Sequence, residues 1–282
     1  MNASEITIKT LTLFGHTFSY NPIIFIMTWI IMGLILMLTI FTVKRLRLIP
    51  SRFQSIFEML FKFLEEILTS TLGEKDGRKF LPFVGTLFIF ILISNWIDIF
   101  PNFAKFFGVV IALIHKAIGG DVNLVYEGIT KIMVTPVETS WYSFLFHLHK
   151  IEAPTGFLST CLGLALIVFF VVHGFGLMNK GPLNYFRGYM EPLPDHGLWL
   201  VFFFLNPFFY LNVVGNIANT VSHSFRLFGN IFGGGIILVI VSELVRFFLI
   251  PVGLYAFFGI FAGAIQAFVF TMLAIAYIAQ QK

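Results

Sequence analysis

The charged residues of this chain fall in a few short clusters, and the long stretches between them decide what it can fold into. Lys9 and Lys44 bracket 34 residues without Asp, Glu, Lys or Arg; Lys79 and Asp98 bracket 18, and Glu152 and Lys180 bracket 27. Asp195 and Arg226 bracket 30, Arg226 and Glu243 bracket 16, and Arg246 and Lys282 bracket 35. Lipid gives a backbone no hydrogen-bond partner, so a crossing segment needs about 20 apolar residues wound as a helix. The runs predict an all-α integral membrane protein with five to six membrane helices. Only 11% of residues are charged, where soluble domains carry about 25%. Eighteen bases and fourteen acids are too few to cover a water-facing surface of this size, which excludes a soluble enzyme. Cys161 stands alone, so no internal disulfide forms. With no internal repeat and no low-complexity linker, residues 1–282 read as a single membrane domain.

The first apolar run begins near Pro22, has no Lys or Arg ahead of it after Lys9 and stops at Lys44-Arg45-Leu46-Arg47, as an uncleaved first span does. Residues 44–79 hold eight of the eighteen Lys and Arg. The positive-inside rule puts this loop in the cytoplasm and the N-terminus outside. Within it, Phe53, Ile56, Phe57, Leu60, Phe61, Leu64, Ile67 and Leu68 recur at helical spacing behind a Ser51…Gln54 capping box. That pattern predicts an amphipathic helix lying on the membrane surface, or else packed on a soluble partner. Residues 102–152 form a long outer-side connection, and 179–197 read as a turn-rich cytoplasmic loop.

No phosphate-binding Gly-rich loop, His-Glu-x-x-His, paired Cys or Gly-x-Ser-x-Gly occurs, so no nucleotide, hydrolytic or cofactor site is expected. His147 and His149 are the one close histidine pair, but two residues apart they diverge on a helix, and no metal site is assigned.

The chemistry lies between Asn206 and Glu243. Asn212, Asn216, Asn219, His223, Arg226 and Asn230 are spaced 4, 3, 4, 3 and 4, which at about 100° per residue confines them to roughly 80° of one helix face. An arginine at bilayer depth costs at least ~2.5 kcal/mol and does not escape by deprotonating, so it must meet an anion or water. Alternatively the asparagines and histidine hydrogen-bond neighbouring helices and the chain turns near Val221, letting Arg226 snorkel to an interface. The last apolar stretch carries a matching face of Gly259, Gly263, Gln266 and Phe270. Gly259/Gly263 and Gly229/Gly233 are small-xxx-small pairs suited to close helix packing, which would bring Gln266 to the arginine stripe.

The run Ser222-His223-Ser224-Phe225-Arg226-Leu227-Phe228-Gly229-Asn230-Ile231-Phe232-Gly233-Gly234 closely resembles the signature of subunit a of the F-type ATP synthase, the membrane stator that passes ions to a rotating c-ring. Ile265-Gln266-Ala267-Phe268-Val269-Phe270 is similar to that family's final-helix motif. Asn95…Asp98…Pro101 and Pro154-Thr155 resemble its outer-side segments. The resemblance implies a long, strongly tilted C-terminal hairpin over 198–282 facing the ring. It makes Arg226 the essential stator arginine, with Asn230 and Gln266 lining the ion path. The implied partners are the c-subunit rotor ring, peripheral stalk b subunits, the soluble ATPase sector and membrane lipid, with no nucleic acid. The implied location is a bacterial-type inner membrane.

Two positions depart from the family pattern. Many members carry Glu nine residues after the arginine and His seven before the glutamine; here these are Gly235 and Gly259. The expectation is that water threads past the glycines, that Asn95 and Thr155 line the route, and that Asp98 or Glu243 supplies a carboxylate. A secondary transporter whose midplane arginine binds an anionic substrate is the competing reading, although such folds show repeated halves. A scaffold that uses the stripe only for helix packing is a third.

Overall fold

The computed structural model describes residues 9–13, 16–44, 46, 50–97, 103–118, 123–127, 131–135, 143, 153–189, 206–244 and 249–282. Hairpin β1 (Lys9–Leu13) and β2 (His16–Tyr20) precedes helices α1 (Pro22–Lys44), α2 (Arg52–Leu72), α3 (Glu74–Ile97) and α4 (Phe103–Ala117). A second hairpin, β3 (Asn123–Glu127) and β4 (Lys131–Thr135), and a 3-10 turn (Pro154–Gly156) lead to α5 (Leu158–Lys180) and α6 (Pro182–Gly188). Then come α7 (Pro207–Leu244), α8 (Leu249–Ala256), a π-helical turn (Phe257–Ala262) and α9 (Gly263–Gln280).

Among the described residues five helices are long and apolar enough to cross a membrane: Pro22–Lys44, Glu74–Ile97, Leu158–Lys180, Pro207–Val241 and Gly253–Gln280. The chain is a multi-pass α-helical membrane protein. The two hairpins are additions to the expected all-α plan, antiparallel in registers such as Lys9↔Tyr20 and Asn123↔Thr135. They stand before the first span and within the 102–152 connection. α4, in the same connection, has 15 residues, about 22 Å of helix, short of a hydrocarbon core of about 30 Å.

α2 follows its sequence signals and then departs from them. Ser51 caps it, its hydroxyl accepting from Gln54 N–H at 3.4 Å, while the Gln54 amide donates to Glu58 at 2.6 Å. Gly73, at φ +80°, ends the helix and turns the chain into α3. Gly77 then lets the two helices touch: a Cβ there would lie 2.8 Å from Leu68 backbone. The expected single surface stripe is wider than one contact. Leu64, Leu68 and Leu72 are fully buried against the bundle, whereas Ile56 and Met59 stay 60% and 70% exposed.

The core joins α2 and α3 to α5, α7 and α9 through Phe80, Val84, Ile91, Cys161, Val168, Leu227, Phe270 and Ile278. α1 stands at its margin, with Ile31 its one buried residue among those described. At the basic end, Lys282 Nζ donates to Leu72 O at 2.7 Å and Asn179 Nδ2 donates to Lys282 O at 3.1 Å, tying the ends of α2, α5 and α9. Part of the 179–197 segment is helical rather than a plain loop. Gly181 at φ +75° reverses the chain, and Pro182, with no N–H to lose, starts α6.

Candidate functional site

α7 has 38 residues, about 57 Å of uninterrupted helix. It runs straight through Val221, so the turn that would let Arg226 snorkel is absent. Arg226 is 19 residues from Pro207 and 18 from Leu244, about 27 Å from either end, beyond the reach of any side chain. The residue is exposed on the helix surface, beside exposed Phe225 and Gly229. Among the described residues the ion pairs join Arg78 to Glu65 and Glu74 at the basic end, and none involves Arg226. Among the described residues no carboxylate pairs with this mid-helix guanidinium, which is exposed on the surface of α7.

Two contacts set the level of α9 against α7. The His223 ring packs edge-on against Phe270 with centroids 3.7 Å apart, and Asn230 Nδ2 donates to Ala262 O at 3.3 Å. Going up α7 therefore means going down α9, and Gln266, one turn before Phe270, lies level with Arg226 and Leu227. Gln266 is 7% exposed and its Nε2 has no hydrogen-bond partner among the described residues. Both ring nitrogens of His223 are likewise buried and unpartnered. Buried polar atoms in native proteins are nearly always satisfied, so these unpartnered groups mark a polar level in the helix interface.

Towards the basic end, the stripe is tied to the α6 region. Asn212 Nδ2 donates to Tyr189 O at 2.9 Å and Asn216 Nδ2 donates to the Tyr189 hydroxyl at 3.0 Å. Tyr189 bonds Tyr185 through their hydroxyls at 2.8 Å, and Tyr185 bonds Nδ1 of His173 on α5. Burial and the neighbouring phenol hold Tyr185 above the usual phenol range. A cleft of about 30 Å³ opens beside this network, lined among others by His173, Asn216, Asn219, Thr220, His223 and Tyr277.

On the other side of Arg226 the site is built by the π turn. Such a turn widens the helix and leaves carbonyls outside the regular ladder. Three side-chain donors from other helices take up carbonyls here: Asn95 Nδ2 to Gly263 O at 2.9 Å, Trp96 Nε1 to Ile260 O at 3.1 Å, and Asn230 to Ala262 O. Thr155, fully buried, donates from Oγ1 to Asn95 Oδ1 at 2.9 Å and so braces it from the 3-10 turn. Next to this brace lies a second cleft of about 60 Å³, lined by residues including Asn95, Asn230, Gly235, Tyr255, Gly259 and Gly263. Gly235 and Gly259 leave it open where side chains would fill it.

The structure brings together Asn95, Thr155, Asn230, Gly259 and Gly263 on one side of Arg226, and Asn216, Asn219 and His223 on the other. The two glycine pairs differ: Gly229/Gly233 lacks the close packing expected, whereas Gly263 of the other pair has it. A Cβ on Gly229 or Gly233 would meet nothing within 4 Å. Close approach occurs instead at Gly263, where a Cβ would lie 3.2 Å from Asn95 Cβ, and at Gly234, 3.3 Å from Phe258. Asp98, His147, His149 and the side chain of Glu243 lie outside the described residues. The sequence reading missed His173, Tyr185, Tyr189 and Trp96. His173 had a visible signal, an ionisable group amid 27 uncharged residues; its tyrosine partners had none.

A family model described as "ATP synthase A chain" matches residues 25–279. The chain is 30% identical over 255 residues, 90% of its length and 71% of the relative's, to "ATP synthase subunit a, sodium ion specific" of Propionigenium modestum. It is 29% identical over 266 residues, 94% of its length and 90% of the relative's, to "ATP synthase subunit a" of Desulfosudis oleivorans.

Proposed function

This chain belongs to the ATP synthase A chain family, and from that membership we propose that it is the proton-conducting stator of an F-type ATP synthase, with Arg226 the charge that deprotonates the rotor's carboxylic acid. The observation that carries this reading is the pair of clefts along α7. One reaches His223 and the other begins at Asn230, about 10 Å apart along the axis, and Arg226 lines neither. Two half-channels separated by a fixed cation have this form.

The physics follows from desolvation. A carboxylic acid on a rotor is neutral while it faces lipid, because burial disfavours its charged form, and ionises when brought opposite a cation. A proton entering from one cleft neutralises the acid, which then turns into lipid. After nearly a full turn the acid returns to Arg226 and releases its proton into the other cleft. Arg226 also repels a hydronium that would leak directly across. Each charge moved through 100 mV supplies ~2.3 kcal/mol. The ion itself is selected by the acid's own site, on the rotor chain.

Two further features support the arrangement. Pro207–Val241 is 35 residues long, about 52 Å, and fits a core of about 30 Å only when strongly inclined, as a hairpin lying along a ring would be. Gly229 and Gly233 leave space beside Arg226 on the outward face, where a small-residue rotor helix would dock. The peripheral stalk, the soluble ATPase sector and an inner membrane with the 44–79 segment in the cytoplasm complete the proposed assembly.

The test is Arg226→Ala in the complex reconstituted into vesicles. ATP-driven pumping is lost while passive proton conductance stays or rises; retained coupled pumping removes Arg226 from this role. The carboxylate source is tested by Asp98→Asn and Glu243→Gln, one or the other expected to slow flux more than Glu127→Gln; equal effects exclude both acids.

A further inference from the structure

We propose that His173, wired through Tyr185 to Tyr189, is the proton-exchange gate at the basic end of the ion path, a role that rests on the stator reading above. The geometry is built rather than incidental. Tyr185 is 6% exposed, and it fits because Gly176, one turn beyond His173, has no side chain. A Cβ there would lie 2.6 Å from Tyr185 Cε2. Tyr189 is fixed from two sides, with Asn212 holding its carbonyl and Asn216 its hydroxyl. The Tyr189 hydroxyl also comes within 3.4 Å of His173 Nδ1, so three titratable groups share one hydrogen-bonded ring.

His173 borders the inner cleft, and His223, one turn from Arg226, borders its far side. A volume of about 30 Å³ accommodates about two water molecules, enough to bridge the imidazoles. Asn216, Asn219 and Thr220 face the cleft from α7, and Tyr277, Gln280 and Gln281 from the α9 end. The imidazoles among the described lining residues are His173 and His223, the side-chain type that takes up and gives up a proton most readily in biological proton relays. Of the two, His173 has the hydrogen-bonded connection to the α6 side.

The transfer balances. With the Tyr185 hydroxyl donating to Nδ1, the neutral ring carries its proton on Nε2. A proton bound by the Tyr189 oxygen displaces the one already there onto Tyr185, whose own proton passes to Nδ1. The imidazolium then gives its Nε2 proton to cleft water. One proton enters at Tyr189 and one leaves at Nε2, and the reverse sequence, with the hydroxyls turned, carries a proton outward.

The experiment uses the whole complex in vesicles. His173→Gln keeps a hydrogen-bonding side chain as a control for folding, and assembly is checked by co-purification of the ring. ATP-driven pumping falls about tenfold or more, as for loss of a positioned proton-transfer group. The dependence of pumping on pH at the basic side loses its imidazole limb. In His173→Ala, added imidazole restores part of the rate, which a merely structural histidine would not permit. Wild-type pumping with an unchanged pH profile in assembled His173→Gln overturns the proposal. Arg226→Ala, measured alongside, separates the two claims. If it uncouples the complex while His173→Gln is normal, only the gate fails; if it still pumps, the stator reading fails.

Discussion

Replacing Asn95 by Ala distinguishes a brace from an ion-path residue, and the structure gives the size of the effect. The asparagine amide holds Gly263 O at 2.9 Å and its oxygen accepts from Thr155 at 2.9 Å, all within a buried junction of α3, the 3-10 turn and α9. Interhelical hydrogen bonds in membrane proteins average only about 0.6 kcal/mol, with about 1.7 the largest. Truncation does more than delete two bonds, because it orphans a buried carbonyl and a buried hydroxyl, each costing about 1–3 kcal/mol. The expected loss is about 2–4 kcal/mol for Asn95→Ala. Thr155→Val removes the hydroxyl together with its need for a partner and costs about 1 kcal/mol. The two effects fall short of additivity by about 1 kcal/mol in the double mutant, since both delete one shared bond. Reversible unfolding of the purified chain in mixed micelles, titrated with denaturing detergent, measures all three. Unchanged stability in Asn95→Ala together with lost ion flux would refute the brace and return Asn95 to the path alone.

Gly77→Ala forces a methyl against Leu68 backbone at 2.8 Å and should destabilise the α2–α3 hairpin by about 1–3 kcal/mol in the same titration. Gly233→Leu should leave the stability of the isolated chain unchanged, since nothing lies within 4 Å, yet abolish co-purification of the rotor ring; a stable, fully assembled variant would mean that this face meets only lipid. The buried Tyr185 phenol holds its proton above the ordinary value of 10.0. Its contribution to stability is therefore full below that value and declines as pH rises beyond it, when the unfolded phenol ionises and the folded one does not. Tyr185→Phe removes that alkaline limb from the unfolding curve.

The residues differ in how far each could be read in advance. Arg226, His223 and the asparagine stripe were legible because helical periodicity is a local property, and a charge inside a long apolar run is costly wherever the chain goes. The same local logic found the spans and the capped start of α2. It failed at Gly229 and Gly233, since spacing says two glycines share a face but not whether a neighbour occupies it. It also missed the second half of each hydrogen bond: Asn95 and Gly263 are separated by 168 positions, and the histidine and tyrosine of the inner network by 12 with a chain reversal between.

What the amino-acid order determined alone was the solvent of this protein and that it crosses it repeatedly, in five to six helices, because lipid admits only apolar helices of sufficient length. Tertiary structure decided the rest. It set the antiparallel level that puts Gln266 at the height of Arg226, the π turn whose carbonyls are taken up by donors from two other helices, and the clefts on either side of the arginine. Each of these depends on side chains meeting across helices, and such meetings are fixed by packing rather than by any property that one segment carries by itself.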